Sequence, residues 1–265
     1  MRLRVLGSGC WLADARRGAP GFLLRSGEDT VLVEAGSGTL QRLARAGLDP
    51  VALDAVVLSH RHLDHCADLA PLLFCMKHQR SPARLRDLLV AGSTGTAHHL
   101  EGLRALHGTS LCAEHFGVRT SELPLDGPGR LLLPGGTLLE SAPAVHAEGA
   151  LHLRFTDPDG TALVFSGDTG PSEALEQLAA GADLLVCECA LPPDDAFPFH
   201  LSARDVAQLA AAARPRGVLL CHYYPRLDAE ADVALVARCG VPCRWAEDGD
   251  ELRVARSERI PLPEV

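Results

Sequence analysis

A chain of 265 residues, 47% of them hydrophobic, is long enough for one sizeable globular core or at most two small ones. Its formal net charge of −9 argues against a broad basic face for holding long nucleic acid, while leaving room for a local phosphate contact. The chain has no membrane-length apolar run and no secretory signal, and its nine cysteines form no CxxC pair, which excludes a disulfide framework and a zinc ribbon.

The chain therefore reads as soluble and untargeted, with the cytoplasm as its default compartment and most thiols buried. No internal repeat and no Gly/Ser- or Pro-rich linker divides it, so residues 1–265 are expected to form a single domain. In chain order, LRVLG, GFLLRSG and DTVLVEAG read as strands. The helical GTLQRLARAG follows, closed by Gly47, and then the strand DAVVLSH. Helical CADLAPLLFCMKH, the strand DLLVAG and helical TAHHLEGLRALHG come next. The second half supplies the strands LHLRFTD, ALVFSGD, DLLVCE and GVLLCH. Its helical patterns are SEALEQLAAG, SARDVAQLAAAA and DAEADVALVARCG, with Ser172 and Ser202 as natural N-caps. Leading hairpins followed by βα units imply an α/β chain of two mixed sheets flanked by helices. Several strands end in a polar residue, which is where such architectures carry chemistry.

The stretch VVLSHRHLDHCADL, Val56 to Leu69, sets three histidines and an aspartate within six positions. A solvated loop and a set of core histidines are the plainer readings. Concentrating neutral imidazole and carboxylate donors on one turn favours a metal site instead, and zinc suits these donors, as manganese and iron also do. In an extended segment residues two apart project to the same side, so His60 and His62 can grip one ion. Asp64 and His65 follow the bend and can reach a second. A two-metal site needs further ligands from distant strand ends. His146 follows a short apolar run in SAPAVHAEG, Asp168 ends ALVFSGD, and His222 ends GVLLCH.

This order of residues resembles the metallo-β-lactamase superfamily, whose motifs run as an early Asp, HxHxDH, a His, an Asp and a His. The second to fifth match as His60, His62, Asp64, His65, His146, Asp168 and His222. Glu34, in VLVEAGSGT, stands where the first-motif Asp is usual; an Asp there supports the metal loop from behind, and Glu34 is expected to do similar work with a longer arm. The resemblance implies a four-layer αββα sandwich with the site at one edge of the sheets. His60, His62 and His146 would hold the first ion, Asp64, His65 and His222 the second, and Asp168 would bridge both. Water between two zinc ions would then be the nucleophile.

The segment from Gly181 to Arg226 is similar to ribonuclease Z and its relatives, where a strand carrying a Glu precedes a His-Ser/Thr pair, an Ala-rich helix and the last ligand strand. Glu188 and His200 match the Glu-His dyad of that branch. Cleaving a phosphodiester needs an acid for the departing alkoxide, and a carboxylate beside an imidazole raises its pKa and orients it. Asp64, Glu188 and His200 are thus the expected catalytic residues, with Arg226 as a phosphate contact. The plainer alternatives are a rim carboxylate for Glu188, a helix-start residue for His200 and a surface side chain for Arg226.

The departures also carry information. Only AEGALHLRFTDPDGTALVFSG separates His146 from Asp168, which leaves no room for the tRNA-gripping arm of bacterial ribonuclease Z. Leu63 replaces the usual Gly inside the HxHxDH motif, and HLS replaces His-Ser-Thr. Together with the negative charge, this argues against pre-tRNA as substrate. The expected function is a dinuclear zinc phosphodiesterase acting on a small or cyclic nucleotide or an accessible RNA end. A lactone or thioester hydrolase on the same fold, and a non-catalytic metal- or nucleotide-binding protein, are the alternatives. The resemblance to ribonuclease Z implies a homodimer. His78, His98, His99, His107, His115 and His152 read as structural or solvated, and Cys66, Cys187, Cys189 and Cys221 as small core residues beside the motifs.

Overall fold

The computed structural model of the chain describes residues 1–112, 114–195 and 197–256. Alternation such as Arg2-Leu3-Arg4-Val5, polar out and apolar in, gives the antiparallel strands β1 (Arg2–Gly7), β2 (Gly21–Ser26) and β3 (Asp29–Val33). Crossovers then add parallel strands: α1 (Thr39–Arg45) precedes β4 (Ala55–Val57), and α2 (Leu63–Cys66) and α3 (Leu69–His78) precede β5 (Leu88–Ser93). Helix α4 (Thr96–His107) leads to β6 (Val118–Leu123), paired parallel to β5.

The second sheet repeats this plan. β7 (Gly129–Leu132), β8 (Leu138–Pro143), β9 (Leu151–Thr156) and β10 (Ala162–Phe165) are antiparallel neighbours. Helix α5 (Glu173–Ala179), β11 (Leu184–Glu188), α6 (Ala203–Ala213), β12 (Val218–Cys221), α7 (Ala229–Ala237) and β13 (Cys243–Trp245) extend it in parallel. The chain then returns through β14 (Glu251–Arg253) to pair with β1. Each sheet has seven strands, ordered β14-β1-β2-β3-β4-β5-β6 and β13-β12-β11-β10-β9-β8-β7. This is the expected α/β sandwich of two mixed sheets.

Three apolar cores bind the four layers. Inward residues of both sheets, among them Val5, Phe22, Val33, Leu153, Phe155 and Phe165, fill the seam between them. Leu43, Leu72, Leu73, Met76 and Leu100 pack α1, α3 and α4 on the first sheet's outer face. Leu175, Val206, Ala210 and Val236 pack α5, α6 and α7 on the second's. Each fully buried Leu or Phe contributes about 1.5–3 kcal/mol against its exposed state. The predicted caps form as expected: Ser172 accepts from Leu175 N–H, and Ser202 makes a reciprocal capping box with Asp205. Among the described residues no helix is long and apolar enough to cross a membrane.

The structure differs from the sequence reading in two ways. The helix expected over residues 66–78 is broken at Ala67 and Asp68, where Asp68 N–H donates to Ala35 O and the Asp68 carboxylate accepts from Leu40 N–H. These bonds tie the chain to the end of β3 and split off the short helix α2. The strands β6, β7, β8, β13 and β14 were not anticipated. Four of these five are the outermost strands of the two sheets.

Candidate metal centre

All the sequence-predicted metal residues leave the same edge of the sandwich. After β3 the chain turns at Glu34, whose φ of 62° lies in the left-handed region. Gly36 follows, packed so closely that a Cβ there would stand 2.0 Å from Asp64 O. Only glycine permits that approach. After β4 the backbone stays extended through His62 (φ −62°, ψ 148°) and then enters α2, which puts Asp64 and His65 on one helical turn. His146 follows β8, Asp168 follows β10, and His222 follows β12 with a φ of 59°.

The buried Glu34 carboxylate accepts from Ser59 N–H at 3.2 and 3.3 Å and lies 3.5 Å from His65 Nδ1. Glu34 therefore braces both the loop carrying His60 and the ring of His65, as the sequence reading expected of the residue in this place. Glu34→Ala would leave the buried Ser59 amide without an acceptor, a cost of about 1–3 kcal/mol. We expect a fall in Tm of about 5 °C by calorimetry and a loss of metal affinity of about 10–100-fold. Native Tm and native metal content would refute the bracing.

Two groups of donors meet at Asp168. His60 Nε2 and His146 Nε2 each lie 3.8 Å from Asp168 Oδ2, and His146 Nε2 is 3.2 Å from His62 Nδ1. On the other side His65 Nε2 is 3.2 Å from Asp168 Oδ1, and His222 Nε2 is 3.3 Å from Asp168 Oδ2 and 3.5 Å from Asp64 Oδ2. One donor atom each from His60, His62, His146 and Asp168 lies within 4.8 Å of the others, and the same holds for Asp64, His65, Asp168 and His222. Each group draws on both sheets.

This donor set fits divalent cations. The Nε2 atoms of His60, His65 and His222 are buried without a hydrogen-bond partner, an arrangement that costs free energy unless an ion occupies the lone pair there. The outer nitrogen fixes one tautomer: His146 Nδ1–H donates to Phe199 O at 2.9 Å, which leaves its Nε2 unprotonated, while His60 Nδ1 lies 3.0 Å from the Ser59 hydroxyl. Burial and the neighbouring His65 ring hold His60 well below its ordinary pKa, and burial lowers His146 as well, so both imidazoles are neutral at pH 7, the form that can bind a metal. Burial opposes charge on His65, yet the Asp168 and Glu34 carboxylates outweigh it and hold its pKa well above the usual value. Burial likewise opposes ionisation of Asp168, and His222 and His65 outweigh it, so its carboxyl is held well below the usual range. The Asp168 and Glu34 carboxylates thus favour positive charge here, which a metal ion would supply in place of the His65 proton.

Beside this cluster stands the predicted dyad. Buried Glu188, the last residue of β11, lies 2.9 and 3.1 Å from His200 Nδ1 through its two oxygens and accepts from Thr169 N–H at 2.6 Å and Leu201 N–H at 3.3 Å. The His200 ring is 4.9 Å from that of His146 and stacks 5.5 Å from that of His222 at 18°. Contrary to the expectation that Glu188 raises it, the His200 pKa is lowered, by burial. Burial and Asp168 push the Glu188 pKa up, opposed by His222 and by the amides of Thr169 and Leu201. Its contribution here is orientation.

Arg226 is exposed on the turn before α7 and makes no hydrogen bond or ion pair among the described residues. His152 is a satisfied core histidine, bonded to Ser166 O and Ser172 Oγ. Burial pushes the Cys66 thiol up to about 11, and raises Cys187, Cys189 and Cys221 as well, so these sulfurs stay protonated. Thr169 was not singled out from sequence. Its Oγ1 accepts from Val145 N–H at 3.1 Å and its own N–H bonds Glu188, so it joins the segment leading to His146 to the dyad; its position directly after Asp168 was the available signal.

Two helix-flanked mixed sheets with a His/Asp cluster on their shared edge define a metallo-β-lactamase-fold hydrolase. The chain belongs to the beta-lactamase superfamily, whose domain matches residues 29–223. Within it the chain is ribonuclease Z-like: it is 31% identical over 244 residues to the ribonuclease Z of Mycobacterium bovis, spanning 86% of this chain and 87% of that one. In fold it is similar to the metallo-β-lactamase fold protein YhfI from Bacillus subtilis, with a TM-score of 0.80, 22% identity, and coverage of 94% and 97% of the two chains. It is also similar to the short form of human tRNase Z, with a TM-score of 0.77, 20% identity, and coverage of 96% and 100%. Between His146 and Asp168 the chain folds only as β9, β10 and their tight turn, which leaves no inserted arm.

Proposed function

We propose that this hydrolase is a dinuclear zinc phosphodiesterase of the ribonuclease Z-like type, acting on a small or cyclic nucleotide or an accessible RNA end, and that residues 1–265 form one domain. The observation that carries this reading is the Glu188–His200 pair set against the His/Asp cluster, with His200 Nδ1 2.9 Å from Glu188. His60, His62 and His146 would hold one ion, Asp64, His65 and His222 the other, and Asp168 would be shared. When bound, such a pair supplies Lewis acidity toward a phosphoryl oxygen and acidifies water.

The protein groups do the rest. Glu188 fixes the His200 ring through Nδ1–H, so that Nε2 carries the proton delivered to the departing alkoxide. In the neutral resting ring Nε2 is unprotonated; the negative charge of an arriving phosphodiester draws a second proton onto it from solvent, and that proton passes to the departing alkoxide. Arg226, exposed and without an ion-pair partner among the described residues, would turn to a non-bridging phosphate oxygen.

The test is initial-rate hydrolysis of bis(p-nitrophenyl) phosphate beside a simple ester and a lactone, on metal-assayed protein with and without chelator. We expect chelator-sensitive turnover mainly of the phosphodiester. Turnover of the ester or lactone alone would sink the assignment of Glu188 and His200. A full metal complement with no turnover of any substrate would mark a binding protein.

A further inference from the structure

Aromatic side chains are scarce in this chain, at two Trp, two Tyr and seven Phe, and their distribution is uneven. Phe22, Phe155 and Phe165 fill the seam between the sheets. Trp11, Phe197 and Phe199 instead remain 65%, 50% and 44% exposed, while Phe74, 48% exposed, lies apart on α3 beside His78. Such large rings left in water forgo the burial that makes aromatic residues valuable to a core.

These exposed rings are continuous with the metal cluster. Trp11 lies 6.4 Å from Tyr224, Tyr224 5.5 Å from His222, and His222 5.5 Å from His200. Phe197 stacks 6.0 Å from His200 at 23°, and Phe199 lies 5.6 Å from Phe197. The line runs from Trp11 to Phe199 through a predicted ligand and the predicted acid, and every member is a ring.

The line is also anchored. Trp11 Nε1–H donates to Tyr224 Oη at 2.8 Å, which satisfies the polar edge of the indole and leaves its faces bare. The loop bearing Phe197 and Phe199 is held by His146 Nδ1–H on Phe199 O, and Pro198 O approaches Gly170 so closely that a Cβ there would stand 1.8 Å away. Held rings lose little entropy when a flat ligand lies on them. Charge points the same way: at a net −9 and without a basic arm, the chain has little attraction for phosphate beyond the metal centre and Arg226, so preference for a nucleoside ester must come from elsewhere. Base stacking on aromatic faces supplies it in a sequence-tolerant manner.

Resting on the phosphodiesterase reading above, we propose that Trp11, Tyr224, Phe197 and Phe199 form a stacking subsite for an unpaired nucleobase of the substrate. The preferred substrate is then a nucleoside phosphodiester whose base is free to leave its neighbours, and base identity matters little.

The experiment compares thymidine 5′-(p-nitrophenyl) phosphate with methyl p-nitrophenyl phosphate, which share a leaving group and differ in the base. The native protein is expected to favour the nucleoside ester in kcat/KM. In Trp11→Leu and Phe197→Leu, which keep an apolar side chain and lose the ring, the nucleoside-to-methyl ratio should fall by roughly tenfold. Trp11→Phe and Phe197→Trp should restore much of it. Both positions are exposed, and metal content measured on each variant separates a lost subsite from a lost site. A native ratio near one, or leucine variants that keep the native ratio, would overturn the subsite and leave the phosphodiesterase standing. No turnover of either ester by the native protein would overturn both.

Discussion

Asp168→Ala is expected to abolish turnover, by about 10³-fold or more, and to lower the content of both metal ions together. Asp168 is the one residue shared by the two donor groups, lying within 3.8 Å of donor nitrogens of His60, His65, His146 and His222. On the proposed two-ion reading, removing it would take the common carboxylate from both ions, and Lewis-acid stabilisation of a phosphoryl transition state is worth several kcal/mol, each 1.36 kcal/mol being tenfold in rate. Elemental analysis beside a rate measurement checks this. A variant that kept its metal and lost only activity would make Asp168 a base rather than a ligand; one that kept both would remove it from the site.

His200→Ala has a different expected signature. Metal content should stay native, because His200 belongs to neither of the two groups that meet at Asp168, while turnover of a phosphodiester with an alkoxide leaving group should fall by about 10²–10⁴-fold. The loss should shrink on bis(p-nitrophenyl) phosphate, since p-nitrophenolate departs without a proton. Equal losses on the two substrates would mean that His200 contacts the phosphate and donates no proton. Lost metal would place it among the ligands, since donor atoms of Glu188, His200 and His222 also lie within 4.8 Å of one another.

The candidate site was more legible in the sequence than the fold around it. Its donors are strong chemical types at short spacing or at the ends of apolar runs, so His60, His62, Asp64 and His65 can be read off one hexapeptide and His146, Asp168 and His222 off three strand ends. The central strands are legible for a related reason: β4, β5, β10 and β11 are buried on both faces and read as unbroken apolar runs. The outer strands are not. β6 carries Arg119, Thr120 and Glu122 because one of its flanks meets water, and β13 and β14 are three residues each. Edge strands are kept short and polar to discourage further pairing, which erases the pattern by which strands are recognised. The break between α2 and α3 was hidden too, because it depends on Ala35, far off in sequence. The lowered pKa of His200 follows from burial around Glu188 and Asp168, which local sequence does not report.

One feature of the centre reaches past catalysis. Neither of the two donor groups that meet at Asp168 belongs to one sheet: His60, His62, Asp64 and His65 come from the first, and His146, Asp168 and His222 from the second. An ion held by both is a rivet across the seam, present only when the two halves are docked. Whatever binds the docked state alone stabilises it in proportion to its free concentration over its dissociation constant. Metal supply in the cell would then govern how long each molecule survives proteolysis as well as how fast it works, so that scarcity thins the population before it slows the survivors.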